Sequence, residues 1–152
     1  MDDEIQRRLT LLREDVMRSC AGLATVTTSE APGMRFVDVA PIAPGALGFH
    51  WIEFWSDSDV VEALQVQAGH HGGRWELGAA VEDVEFISQL ARAVVAGHVV
   101  ETFGPGRPRV DVTLMRGEVL SETGYGTPRG CLPVPGWLRR GRTVRYESYS
   151  AL

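Results

Sequence analysis

The chain has 152 residues and a formal net charge of −5, and all 15 of its basic residues are arginine, with neither lysine nor asparagine anywhere. One domain of this size buries roughly 70% of its unfolded surface and needs no staple. The missing lysine excludes a Schiff base, a pyridoxal-phosphate anchor and a P-loop or kinase lysine, and the missing asparagine excludes N-glycosylation.

The opening run MDDEIQRRLTLLRED is acidic and then amphipathic. It lacks the basic and apolar regions of a secretory signal, and no later run has the length of a membrane span, so a cytoplasmic location is expected. Asp2 or Asp3 can cap a helix in which Ile5, Leu9, Leu12, Val16 and Met17 recur near helical spacing to about Cys20, with Gly22 placed for a left-handed cap.

Strands follow. LATVTTS and MRFVDVAPI flank a Pro32-Gly33 turn, and Pro41 and Pro44 end the second run. GFHWIEFWS is apolar on both faces, with Phe49, Trp51 and Trp55 opposite Ile52 and Phe54, which predicts a central strand covered on both sides. VVEALQVQAG and GRWELGA then form a hairpin around His70-His71-Gly72-Gly73, although Val60 to Leu64 can also start as a helical turn.

From Glu82 the period changes, and Val84, Ile87, Leu90, Ala91, Val94 and Val95 make the apolar stripe of a second helix near 82–96. Two continuations are open after it. The helix can fray or bend past Gly97, the favoured reading, or HVVETF can pair as a strand with RVDVTLM. RVDVTLM and EVLSETG form a second hairpin with Val110, Val112 and Leu114 on one face, YGTPRGCLPVPGW is irregular, and RTVRYESY is a last strand. The predicted fold is a single α+β domain over 1–152, an antiparallel sheet of about five to seven strands with both helices packed on one side.

No residue pattern supplies a recognisable active site. Neighbouring histidines on a strand point to opposite faces, so His70 and His71 are poor joint ligands, and His50 and His98 add no zinc or two-His-one-carboxylate spacing. Cys20 and Cys131 have no CxxC or Cys/His spacing, which leaves two ordinary thiols. GxSxG and SxxK are missing, and FGPGRP is not a dinucleotide fingerprint. No metal, cofactor or catalytic residue is expected.

The remaining signals concern binding. Trp51, Glu53 and Trp55 should share a strand face, a carboxylate framed by aromatics that suits acid-base work or a cationic ligand, or else a carboxylate paired with an arginine. Asp57, Asp59 and Glu62 extend the acidity, against the bland alternative of a solvated loop in which Ser56 or Ser58 caps a short helix. Arg139, Arg140 and Arg142 form a basic run late in the chain, and the net-acidic total disfavours nucleic acid.

Residues 1 to 76 carry six arginines against twelve acids, so the surface should be bipolar. The expectation is a non-catalytic protein-binding module, for example a toxin-neutralising immunity protein, whose partner can have a basic surface; a homodimer is compatible with it, a membrane is not. Its contacts would come from Glu53, Trp55, Asp57, Asp59, Glu62, His70, His71, Trp75, Arg139, Arg140 and Arg142. The alternative is a small ligand-binding domain or enzyme with a cleft around Trp51, Glu53 and Trp55 and His50 or His70 as its titrating group. The arginine-only, asparagine-free composition points to a high-GC bacterium of actinobacterial type.

Overall fold

In the computed structural model the described residues are 2–70, 73–103, 108–123 and 142–151. The first helix, α1, spans Asp2–Ser19, so Asp2 and Asp3 lie within it rather than before it. Leu9, Leu12 and Val16 are buried, and Cys20 just beyond is fully buried. Met17 departs from the predicted stripe and is 56% exposed, because its position about 100° off the stripe's centre puts it on the helix flank. Gly22 takes the expected positive φ of 76° and turns the chain into the sheet.

Five strands follow as a simple antiparallel meander: β1 Ala24–Ala31, β2 Met34–Pro41, β3 Phe49–Trp55, β4 Val61–Ala68 and β5 Arg74–Leu77, in that spatial order. The β1–β2 hairpin closes at Ala31↔Met34 across Pro32-Gly33, where Gly33 has φ 73°. Val61 begins a strand and not a helical turn.

The second helix, α2, spans Val81–Val95, and its first turn is held by the Asp83 carboxylate, which accepts the Ala80 N–H at 2.9 Å. Its end is a Schellman cap: His98 N–H reaches the Ala93 carbonyl and Gly97 N–H the Val94 carbonyl, with Gly97 at φ 81°. The helix stops where predicted, but the chain beyond does not fray. It becomes β6, Val99–Phe103, which pairs with β7, Arg109–Thr113, as the second of the two continuations proposed. With β8 Val119–Thr123 and β9 Arg142–Arg145 it makes a second, four-stranded sheet in the order β8-β7-β6-β9.

The architecture is thus α+β, with nine strands among the described residues divided between two antiparallel sheets. Both helices pack on one face of the five-stranded sheet and α2 also contacts β7, which joins the two sheets through one core. Trp51, Leu64 and Val66 meet Leu9, Ile87, Leu90 and Val94, and Val110 and Val112 extend the core to the second sheet. Tyr149 fastens the chain end to this core, its hydroxyl donating to the Leu47 carbonyl at 2.7 Å and its N–H to Val95 at 3.0 Å.

The central strand β3 corrects one expectation. Only its Phe49, Trp51 and Glu53 side is fully covered; Ile52 and Phe54, with His50, lie half-buried on the other face, which no helix among the described residues covers.

Candidate functional site

Trp51, Glu53 and Trp55 do share the covered face of β3, and the carboxylate at their centre is fully buried. It is not available to a ligand. One guanidinium nitrogen of Arg13, on α1, reaches both Glu53 oxygens at 3.0 and 2.8 Å, Arg35 on β2 reaches one at 3.4 Å, and the Trp51 indole N–H donates to the other at 3.2 Å. A buried carboxylate is tolerable only when it is paired and hydrogen-bonded in this way. Arg35 also lies 5.2 Å over the Trp55 ring, a cation–π contact inside the protein. The cationic partner foreseen for this aromatic-framed carboxylate is therefore supplied by the chain itself.

Outside that buried pair, two turns meet at one end of the sheet. The Trp55 N–H bonds to the Gly33 carbonyl at 2.8 Å, tying the β1–β2 turn to the end of β3. The next turn is closed by Ser56 N–H to Val60 O at 2.8 Å and Asp59 N–H to Ser56 O at 3.1 Å, while the Ser56 hydroxyl accepts from the N–H groups of Ser58 and Val60. No short helix forms here; the hydroxyl stabilises a turn, with Asp59 at φ 58°. Gln6 of α1 donates to the Asp59 carbonyl at 2.9 Å and pins the turn from below.

The result is a hydrogen-bonded loop that presents Asp57 and Asp59, followed by Glu62 at the start of β4, all exposed, with Glu30 near the end of β1. A cleft of about 340 Å³ lies between Asp59 and Glu30, bordered also by Gln6, Met34, Arg35 and Trp55. The Trp55 indole nitrogen is buried beside it, with no hydrogen-bond partner among the described residues.

The histidine loop has a different role. The Ala68 N–H donates to the Gly73 carbonyl at 2.9 Å, and the His70 N–H points at both oxygens of Glu101, at 3.1 and 3.0 Å. Glu101 is fully buried on β6 and also accepts the Tyr146 hydroxyl at 2.6 Å. Burial and this carboxylate push the Tyr146 phenol well above its ordinary pKa. The loop is thus latched onto the second sheet, with the exposed His70 ring 6.2 Å from Tyr146.

The predicted residues therefore fall in four places. Trp55, Asp57, Asp59 and Glu62 gather at the acidic end, and Glu53 is sealed behind it. His70 belongs to the latch, 31 residues in sequence from the glutamate that holds it. Trp75 is half-buried against Phe86, with ring centroids 6.1 Å apart. Arg142 is exposed on β9. His71, Arg139, Arg140 and Cys131 lie outside the described residues.

His50 does not join Glu53. It stands on the opposite face of the sheet, stacked on Phe36 at 4.9 Å, and burial lowers its pKa while Asp38 opposes that shift. Among the described residues no three His, Cys, Asp or Glu side chains are grouped to hold a metal ion, and no helix is long and apolar enough to cross a membrane. Glu30, Gln6 and Arg35 were not foreseen at the site. Arg35 and Glu30 stand opposite each other in the β1–β2 register, a relation that the Pro-Gly turn encodes. No protein-family model, curated protein or solved structure matches the chain.

Proposed function

We propose that this protein is a non-catalytic protein-binding module that engages a partner through the acidic end of its five-stranded sheet. The observation that carries the reading is the hydrogen-bonded turn at Ser56 to Val60, which presents Asp57 and Asp59 exposed beside Glu62 at the start of β4, with Glu30 across the cleft from Asp59. Exposed carboxylates fixed in one place steer a basic surface toward contact and disfavour acidic ones. Trp55 and Arg35, which line the adjoining cleft, are of the residue types that anchor interfaces. The enzymatic alternative loses its central group, because Glu53 is already engaged by Arg13 and Arg35 and His50 lies across the sheet.

A toxin-neutralising immunity protein of a high-GC bacterium, acting in the cytoplasm, is the concrete form of this proposal. Its test is co-expression with the product of the adjacent reading frame. A stoichiometric complex that protects the host from that product supports the reading. A gene set among metabolic enzymes, with no complex formed, returns the question to a small-ligand cleft.

A further inference from the structure

The five-stranded sheet ends on β1, which among the described residues has β2 as its sole strand neighbour. Free sheet edges are normally blunted by shortness, charge, proline or a bulge, because their unpaired N–H and C=O groups template another strand. The edges β5 and β9 follow this rule: each has four residues, with Arg74 and Glu76 on one and Arg142 and Arg145 on the other. β8 is five residues long. β1 has eight, ATVTTSEA, pairs with β2 without a register shift, and carries Glu30 as its single charge.

The direction of its backbone groups can be deduced. Ile42 N–H donates to the Leu23 carbonyl at 2.9 Å, one position before the Ala24↔Pro41 pair. In an antiparallel ladder the N–H and C=O of one residue point the same way and alternate along the strand. Leu23, Thr25, Thr27, Ser29 and Ala31 therefore bond to β2, which agrees with a two-residue turn closing at Ala31↔Met34. Val26, Thr28 and Glu30 turn their backbone groups away from the sheet.

We infer that β1 is a homodimer interface, pairing antiparallel with β1 of a second copy about a two-fold axis at Thr28. Such an axis keeps each sheet face continuous, so even-numbered residues must meet even-numbered ones. Thr28 then exchanges both backbone bonds with its symmetry mate, and Val26 does so with Glu30 of the second copy. Thr27 stands opposite Ser29 and Thr25 opposite Ala31. No like charges face each other, and the hydroxyl-bearing residues meet in the kind of cross-strand pair that favours sheets.

The inference does not rest on the partner-binding reading, although Glu30 belongs to both surfaces.

The test is sedimentation velocity on the whole chain at about 10 to 100 µM, a range over which a dimer changes population by mass action. The wild type should reach twice its 16.6 kDa chain mass. Thr28→Pro removes an N–H that β2 does not use, and Thr28→Arg sets two guanidinium groups against each other at the axis. Both should sediment as single chains with an unchanged far-UV circular dichroism spectrum; Thr28→Arg decides the matter if the proline variant does not fold. A wild type that stays at the single-chain mass at about 100 µM, or a dimer that survives folded Thr28→Arg, overturns the proposal.

Discussion

Arg13 and Glu53, forty residues apart in sequence, form the buried ion pair on which the covered face of the central strand depends. The arginine comes from α1 and the carboxylate from β3, so the pair fixes the helix on the sheet beside the acidic turn. Arg13 is 18% exposed at its side chain and Glu53 is not exposed at all.

Removing one member should strand the other. Arg13→Ala leaves the Glu53 carboxylate with only the longer Arg35 contact and the Trp51 N–H, and a cost of about 3 kcal/mol is expected for a buried charge that has lost its closest partner. The double variant Arg13→Met with Glu53→Met should be the more stable of the two, since neither charge remains buried. Urea unfolding of both proteins checks this, and an Arg13→Ala cost below about 1 kcal/mol would show that Arg35 alone suffices.

Two glycines with positive φ should respond differently to alanine. A Cβ on Gly73 would come within 1.8 Å of the Ala68 carbonyl oxygen, a backbone clash that cannot relax without opening the hairpin, whereas a Cβ on Gly22 meets nothing within 4 Å. Gly22→Ala should cost about 1 kcal/mol for the left-handed conformation alone, and Gly73→Ala about 3 kcal/mol or more. Thermal melts of the two variants decide it; equal losses would mean that the histidine loop yields easily.

Tyr146→Phe removes a hydroxyl that donates to buried Glu101, and a loss of about 2 kcal/mol is expected for a hydrogen bond to a charged acceptor. The readout specific to the latch is amide exchange. Protection at the His70 N–H, which bonds to the same carboxylate, should fall more in Glu101→Ala than in Tyr146→Phe. Unchanged His70 exchange in Glu101→Ala would contradict the latch.

Stability should decline at both ends of the pH scale for identifiable reasons. Burial lowers the pKa of His50 in the folded chain below its ordinary 6.5, so protonation favours the unfolded state and stability is lost as pH falls below about 6.5. Tyr146 and Tyr149 are both raised, chiefly by burial, so their contribution is intact below about pH 10 and is lost as pH rises further. Unfolding curves across pH should show the acid limb flattened in His50→Gln and the alkaline limb flattened in Tyr146→Phe; parallel curves in variant and wild type would exclude these groups.

Much of the fold was legible locally. The Pro32-Gly33 turn, the periodicity of the two helices and the hairpin after Arg109 are each encoded within a few residues of sequence. The division into two sheets was not, because it depends on β6 choosing β7 and β9 over an extended α2, and Gly97 signals only that the helix ends. At the site, alternation placed Trp51, Glu53 and Trp55 on one face, but nothing near Glu53 announces that it is buried. Its arginines come from α1 and β2, and pairing across forty residues leaves no local pattern. The anchoring of the histidine loop left no local signal for the same reason, since its partner Glu101 sits on β6, one of two continuations that the sequence allows.

The most direct test of the binding assignment is the association rate of the wild type and of the Asp57→Arg, Asp59→Arg double variant with the neighbour-encoded protein, measured by stopped flow from low to high salt. Both side chains are exposed, and the left-handed φ of 58° at Asp59 makes arginine there cost about 1 kcal/mol, so far-UV circular dichroism checks first that the double variant is folded. The account predicts an association that slows steeply with salt in the wild type, and a double variant slowed about tenfold or more at low salt with most of that salt dependence gone. Equal rates for the two proteins at low salt would show that the acidic end does not meet the partner.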